Sequence, residues 1–244
     1  MLIALLYHKI NAGKYSNSLE MLDAHFQFIA SRMQTVHPGE KLPKGLSVCL
    51  TFDDAFFDFY HLIFPMLKKY NLKALLAVPT AYIPDQTSLT PLERLEKIKT
   101  FPDKAPPVPS PAFCTWPELK ELAKSPLIHI ASHSVHHRPL TSPHIDKEYE
   151  LTASKKLLEE KLQLSITSFV YPFGRFNRKA HALAKKHYSH IFRIGNALNL
   201  SWKNTNSLLY RINGDALPSP RYPFALKSHL KHGVQFAFNT IRKK

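Results

Sequence analysis

The chain has 244 residues, 44% of them hydrophobic, and carries a formal charge of +15 from 33 Lys and Arg against 18 Asp and Glu. That length suits one sizeable core, and the charge favours an anionic partner such as a phospholipid surface, a phosphate-bearing substrate or nucleic acid. Cys49 and Cys114 are the only cysteines, which excludes a disulfide framework or a zinc-thiolate spacing, and no stretch approaches the roughly 18 apolar residues of a membrane span.

The first apolar run, Leu2 to Tyr7, follows no basic segment and precedes no cleavage-like sequence. It reads as a strand rather than a signal peptide, so a cytoplasmic location is expected, with a peripheral position at the inner membrane face set by charge. Similar runs at 47–52, 73–78, 127–131, 168–171, 190–194 and 208–212 predict further strands. The middle ones are short and almost continuously apolar, as in strands covered on both faces. Helical patterns lie between them at 18–34, 58–70, 116–124, 145–163 and 177–187. Alternating strand and helix with about seven strands predicts a single α/β domain over 1–244, a distorted, incomplete (β/α)7-type barrel.

Thr115, Trp116, Pro117 and Glu118 carry the signature of a capped helix start, and Ser142-Pro143 opens the helix at 145–163 in a similar way. Residues 79–112 contain eight prolines, which forbids long regular elements. This Pro-rich insertion is expected to pass over the barrel rim and shape a substrate groove, with a short helix near 91–99. Cys49, inside an apolar run, is predicted to be a small core residue. The chain closes in a basic, helix-like tail.

Four of the runs end in residues that do chemistry: His8, Asp53-Asp54, the segment His133-Ser134-Val135-His136-His137, and Pro172-Phe173-Gly174. On a parallel barrel these ends share one rim, where such barrels keep their active sites. Adjacent carboxylates leaving a strand diverge, so one can bind a metal while its neighbour faces water as a general base. His133 and His137, four apart, would fall on one side of a helical turn. With one carboxylate they leave open positions on a zinc-type ion. His136 points elsewhere, toward a supporting partner or solvent.

Thr51-Phe52-Asp53-Asp54, His133-Ser134-x-x-His137 and Tyr171-Pro172-Phe173-Gly174, in that order, resemble the motifs of the polysaccharide deacetylase superfamily, which shares the NodB-homology domain. The resemblance runs from residue 1 to about 215. It implies a distorted barrel that removes acetyl groups from sugars with a divalent metal held by Asp54, His133 and His137. It also implies Asp53 as catalytic base and the Phe173 N–H as an oxyanion donor, with Tyr171 among the residues toward the substrate and Trp116 lining the acetyl pocket; a core tryptophan is an equally good reading of Trp116. Two departures are visible. Val170 stands where many members carry an arginine that orients the base; Arg211 is a candidate to replace it, an ordinary surface arginine being an equally good reading, and Asp215 is a weaker candidate. No late strand supplies the acid histidine, because Leu230-Lys231-His232 lies in the basic tail. Leu5-Leu6-Tyr7-His8-Lys9-Ile10 instead resembles the first strand of the circularly permuted poly-N-acetylglucosamine deacetylase branch, which makes His8 the general acid.

The resulting expectation is hydrolysis of the N-acetyl group of an amino sugar in a glycan or a lipid-linked cell-envelope saccharide, by metal-activated water. Two histidines and one aspartate suit Zn2+, with Co2+, Ni2+ or Fe2+ as alternatives. Arg221, Lys227, Lys231, Arg242, Lys243 and Lys244 are expected to touch an anionic membrane. A second reading is a catalytically silent NodB-like domain that binds glycan or an anion. Nucleic acid ranks last, because the basic residues are dispersed and form no recognised binding motif.

Overall fold

The computed structural model describes residues 1–102, 105–203 and 207–241, with no account of the side chains of 240 and 241. Seven parallel strands close into a barrel: β1 (Leu2–Tyr7), β5 (Ser47–Phe52), β6 (Ala74–Val78), β7 (Ile128–Ser132), β8 (Ser168–Val170), β9 (His190–Ile194) and β10 (Leu208–Asn213). Closure is made by β1, which pairs with β5 over its whole length and with β10 at Ala4↔Arg211 through Leu6↔Asn213. Three two-residue strands, β2 (Lys9–Ile10), β3 (Ser16–Asn17) and β4 (Gln34–Thr35), escape the sequence pattern because they are too short to show alternation. Seven α-helices accompany the strands: α1 (Leu19–Arg32), α2 (Phe64–Tyr70), α3 (Pro91–Lys99), α4 (Trp116–Lys124), α5 (Lys147–Leu162), α6 (Arg178–His187) and α7 (Leu226–Ile241). The seven-strand barrel follows the sequence expectation, and the short β4 adds to the start of β5 at the end of the main sheet.

Strand alternation sorts the core into two clusters. Ile3, Leu5, Tyr7, Leu50 and Phe52 pack outward with the helices, whereas Leu2, Ala4, Cys49, Leu75, Ala77, Ala131, Val170, Phe192 and Leu209 form a separate interior cluster. The period of two that places Ala4 and Cys49 inside also carries Thr51, Asp53, Arg211 and His133 inward. Small side chains at Ala4, Ala77 and Ala131 leave room there for a guanidinium. Cys49 is a buried free thiol, as expected.

Helix punctuation differs from the sequence pattern in two places. Asp146, rather than Ser142-Pro143, caps α5: its side chain accepts from the Tyr149 N–H, and the helix starts at Lys147. The predicted helix at 58–70 is divided into a π-helical turn at Phe59–Ile63 and α2. Pro65 accounts for the split, since it lacks an N–H and its ring would meet the His61 carbonyl in a regular α-turn. The wider turn removes that clash. The predicted caps at Thr115 and the short helix over 91–99 are present, each opening with a capping box.

Gly214 sits where two strand ends meet. A Cβ there would lie 2.5 Å from the Tyr7 ring and 2.8 Å from the Leu6 carbonyl oxygen, to which the Gly214 N–H donates at 2.7 Å. Backbone cannot retreat as a flexible side chain can, so Gly214→Ala is expected to lower unfolding free energy by about 1–3 kcal/mol in urea denaturation.

Candidate active site

The rim gathers the strand-end motifs into one cleft of about 330 Å³. His8, Asp53, Asp54, His133, His137 and Phe173 all line it. The backbone that delivers them is unusual. Asp54 and Ala55 are both left-handed, at φ 73° and 57°, as are Ser134 (66°), His137 (49°) and Phe173 (57°). Non-glycine residues in that region cost energy and persist where surroundings over-determine them. His133 and His137 therefore do not share a helical turn as their spacing predicts. Ser134 reverses the chain, its Oγ accepts the His137 N–H at 3.1 Å, and the two imidazoles meet at 4.7 Å between centroids.

Glu150 of α5 explains why this loop holds. Its Oε2 accepts the N–H groups of Val135 and His136, each at 2.9 Å, while Oε1 accepts His136 Nδ1–H at 2.6 Å. His136 thus braces the loop and faces away from the cleft, as its position predicts.

Asp53 and Arg211 form the second layer. Both are buried, and Arg211 donates to the two carboxylate oxygens at 2.6 and 2.9 Å and to Thr51 Oγ1 at 3.2 Å. Burial alone would raise the Asp53 pKa. The Arg211 charge and hydrogen bonds, helped by His133 and His8, hold it well below the usual carboxylate range. Arg211 approaches Asp53 from β10 and not from the position of Val170. Val170 contributes its carbonyl, which accepts His133 Nδ1–H at 2.8 Å.

His8 lies on the other side of Asp53, with Nε2 at 3.9 Å from Asp53 Oδ2. Its Nδ1–H donates to Asp215 Oδ2 at 2.6 Å, and its backbone N–H donates to Asp215 Oδ1 at 3.1 Å. Burial acts to lower the His8 pKa, but the Asp215 hydrogen bond and the charges of Asp215, Asp53 and Asp54 outweigh it and lift the value to about 9. The importance of Asp215 is faint in sequence, although it stands two residues beyond a strand end, as Asp54 does.

Asp54, His133 and His137 have the donor set of a divalent-metal site. One potential ligand atom from each lies within 4.8 Å of the others, with His137 Nε2 at 3.3 Å and His133 Nε2 at 3.7 Å from Asp54 Oδ1. The His133 Nδ1–H bond to Val170 directs the Nε2 lone pair toward this point. Burial, opposed mainly by Asp53, pulls its pKa down to about 4, which keeps the ring neutral as a ligand must be. These residues fit a single hard-to-borderline dication.

Two predicted site residues lie elsewhere. Tyr171 is fully buried with its hydroxyl 3.2 Å from His181 Nδ1 on α6, and Trp116 is buried at the start of α4 under Lys161. Neither lines the cleft, so of the two readings of Trp116 the core one describes its place. The alternative histidine, His232, is also buried away from the cleft. In place of Trp116, the insertion at 79–112 supplies Pro79, Tyr82, Phe101, Pro102 and Ala105, joined by Phe56 and Phe113. Phe113 is the hub, with its centroid 4.6 Å from Phe56, 4.9 Å from Tyr82 and 5.0 Å from Phe101. Arg94 fastens the insertion to the barrel: it donates to both Glu118 oxygens and to the carbonyls of Pro111 and Phe113. Residues 103 and 104 of the insertion lie outside the described residues.

Comparison with known proteins places the chain. Residues 41–190 match the family model described as polysaccharide deacetylase. The Bacillus subtilis protein YxkH is 28% identical over 197 residues, covering 75% of this chain and 60% of its own length. The Escherichia coli poly-beta-1,6-N-acetyl-D-glucosamine N-deacetylase is 26% identical over 197 residues, 69% of this chain and 28% of that protein. This chain therefore spans less than two thirds of either relative. Among solved structures, the Streptococcus pyogenes deacetylase PplD, crystallised with acetate, shares the fold at a TM-score of 0.72 and 22% identity, covering 95% of this chain and 97% of that one. The chain belongs to the polysaccharide deacetylase family.

Replacing Arg211 with Met leaves a buried carboxylate without its partner, and a loss of about 3–5 kcal/mol is expected at neutral pH. A depressed folded pKa stabilises above the unfolded value and loses that effect as pH falls through the interval below it. The gap between wild type and Arg211→Met should therefore narrow below about pH 4 in urea titrations of metal-stripped protein.

Proposed function

We propose that this member of the polysaccharide deacetylase family is a metal-dependent hydrolase that removes the N-acetyl group from an amino sugar in a glycan or lipid-linked cell-envelope saccharide. The observation that carries the reading is the placement of Asp53 and His8 on either side of one point beside Asp54, His133 and His137. Oδ2 of Asp53 is 3.9 Å from His8 Nε2 and 3.8 Å from His133 Nε2. Zn2+ is the first choice for the three ligands, with Co2+, Ni2+ or Fe2+ as alternatives. Bound there, such an ion would polarise the acetyl carbonyl and lower the pKa of water toward about 7.

The protein's own groups divide the remaining work. Asp53 is kept ionised and fixed through both oxygens by Arg211, so Oδ2 can accept a proton from the attacking water in one orientation. Its depressed pKa secures the ionised state at some expense in basicity. His8, protonated through Asp215, gives a proton to the amine nitrogen as the C–N bond breaks, and the products are acetate and a free amine. The N–H of Phe173 is the proposed donor to the oxyanion, on a turn whose left-handed residue is Phe173 itself. The aromatic wall around Phe113 offers flat faces to a sugar ring, with CH groups against the rings. The name of the Escherichia coli relative makes a β-1,6-linked N-acetylglucosamine polymer the first substrate to try.

Acetate release from acetylated glucosamine oligosaccharides should vanish on metal stripping and return with zinc. Asp53→Asn and His8→Ala should each lower kcat/KM by about 10²–10⁴ with zinc still bound stoichiometrically. Full activity in either variant would remove that residue from its role, and stoichiometric metal without release from any acetamido sugar would favour a silent binding domain. In Asp215→Asn, His8 loses the partner that raises its pKa. The alkaline limb of the kcat/KM profile should then move to lower pH, whereas a purely structural role for Asp215 would lower the plateau and leave the limb in place.

A further inference from the structure

Helix α7 is turned inside out in polarity. The side chains it sends inward include His232, whose Nδ1–H donates to the Asn196 carbonyl at 2.6 Å, and Asn239, whose amide donates to the Gly195 carbonyl at 3.1 Å. Phe236 adds one partly buried ring beside Tyr210. On the outward side, Leu226, Leu230, Val234 and Phe238 recur every fourth residue and are 77, 65, 58 and 53% exposed. At 3.6 residues per turn these four make one oblique stripe along the helix. A surface helix ordinarily turns such a stripe to the core, and a contiguous exposed one marks a binding surface.

Charge decides what covers it. Lys227 and Lys231 are exposed on the same side of α7, and Arg221 is exposed just before the helix. A second copy packed symmetrically on the stripe would bring these cations against their own equivalents, in a chain of net charge +15. An anionic bilayer takes both features at once: apolar side chains enter the headgroup boundary and lysines reach lipid phosphate. No helix among the described residues is long and apolar enough to cross a membrane, and the stripe on α7 has the form of a helix that lies on a surface.

We propose that α7 lies in the plane of an anionic lipid bilayer, burying Leu226, Leu230, Val234 and Phe238 at the headgroup boundary while Lys227 and Lys231 pair with lipid phosphates. Gly195 and Asn196, which hold the inward side of α7, directly follow Ile194 of the cleft. A membrane-bound α7 therefore sets the β9 side of the cleft close to the lipid surface. Arg242, Lys243 and Lys244, grouped with this surface on sequence grounds, lie outside the described residues. The membrane contact does not depend on the deacetylase reading and is tested without it.

The test is flotation of the full chain with phosphatidylcholine vesicles, with and without phosphatidylglycerol, alongside light scattering of the free protein. Wild type should float only with the anionic vesicles. Leu230→Glu/Val234→Glu should reduce partitioning at least about tenfold, and Lys227→Glu/Lys231→Glu should also reduce it by about tenfold or more. Both variants change exposed positions, so their melting curves and metal content should match wild type. Equal binding to neutral vesicles, no binding to either, or undiminished binding by the stripe variant would each overturn the proposal. So would a dimer in solution that Leu230→Glu dissociates, since a second copy would then be the cover.

Discussion

The buried pair of Arg211 and Asp53 is the constraint around which the barrel is arranged. A guanidinium in the interior is costly unless its charge and donors are matched. Here both terminal nitrogens are matched by one carboxylate and a threonine hydroxyl, while Nε has no partner among the described residues. The residues around it follow from that demand: Ala4, Ala77 and Ala131 are small, and Thr51 turns its hydroxyl inward. Asp53 then has no freedom to rotate. A carboxylate tied through both oxygens offers the cleft one oxygen in one place, and β1 lies between the strands bearing the pair and hydrogen-bonds to both.

The other polar side chains of the cleft repeat this arrangement, each held by a group from a distant element. Asp215 holds His8, the Val170 carbonyl holds His133, and Glu150 holds the loop between the two histidines. Asp58 extends the pattern to the chain after His8: its Oδ2 accepts the Ile10 N–H at 2.7 Å, and burial, only partly offset by that bond and its neighbours, pushes its pKa up to about 7. These supports tie the N-terminal strand, the metal-type loop and the last barrel strand into one unit. The charges are consequently fixed by tertiary structure, with Asp53 ionised and His133 neutral for reasons no local segment contains.

How much of this is legible in sequence follows from the range of the interactions. Barrel strands are readable because burial on both faces writes a continuous apolar run, and the rim residues are readable because they end those runs. Asp54, His133 and His137 belong to that class. Asp215 and Glu150 do not, since each acts through a partner more than a dozen residues away and looks locally like a turn residue or an ordinary helical glutamate. Trp116 and Tyr171 mislead for the opposite reason. They sit beside motif residues, but side chains alternate or rotate away within one position, and both end in the core. Left-handed backbone at Ala55 and Phe173 is equally hidden, because nothing in those residue types asks for it, whereas aspartate at 54 tolerates it.

The cleft and α7 share one physical logic of apolar surface edged by cations. In the cleft, the Phe113 cluster is bordered by Lys9, whose ammonium lies 5.4 Å from the Phe56 ring, and by Arg175. On α7, an apolar stripe is bordered by Lys227 and Lys231. A neutral sugar chain meets the aromatic wall, a phosphate meets the cations beside it, and a lipid surface meets the stripe. A saccharide carried on a phosphate-bearing lipid has a ring to stack, a phosphate to attract and a membrane to hold it. Under the two proposals above, the strong positive charge of the chain, the wall of the cleft and the outward face of α7 would each have a counterpart in that partner class.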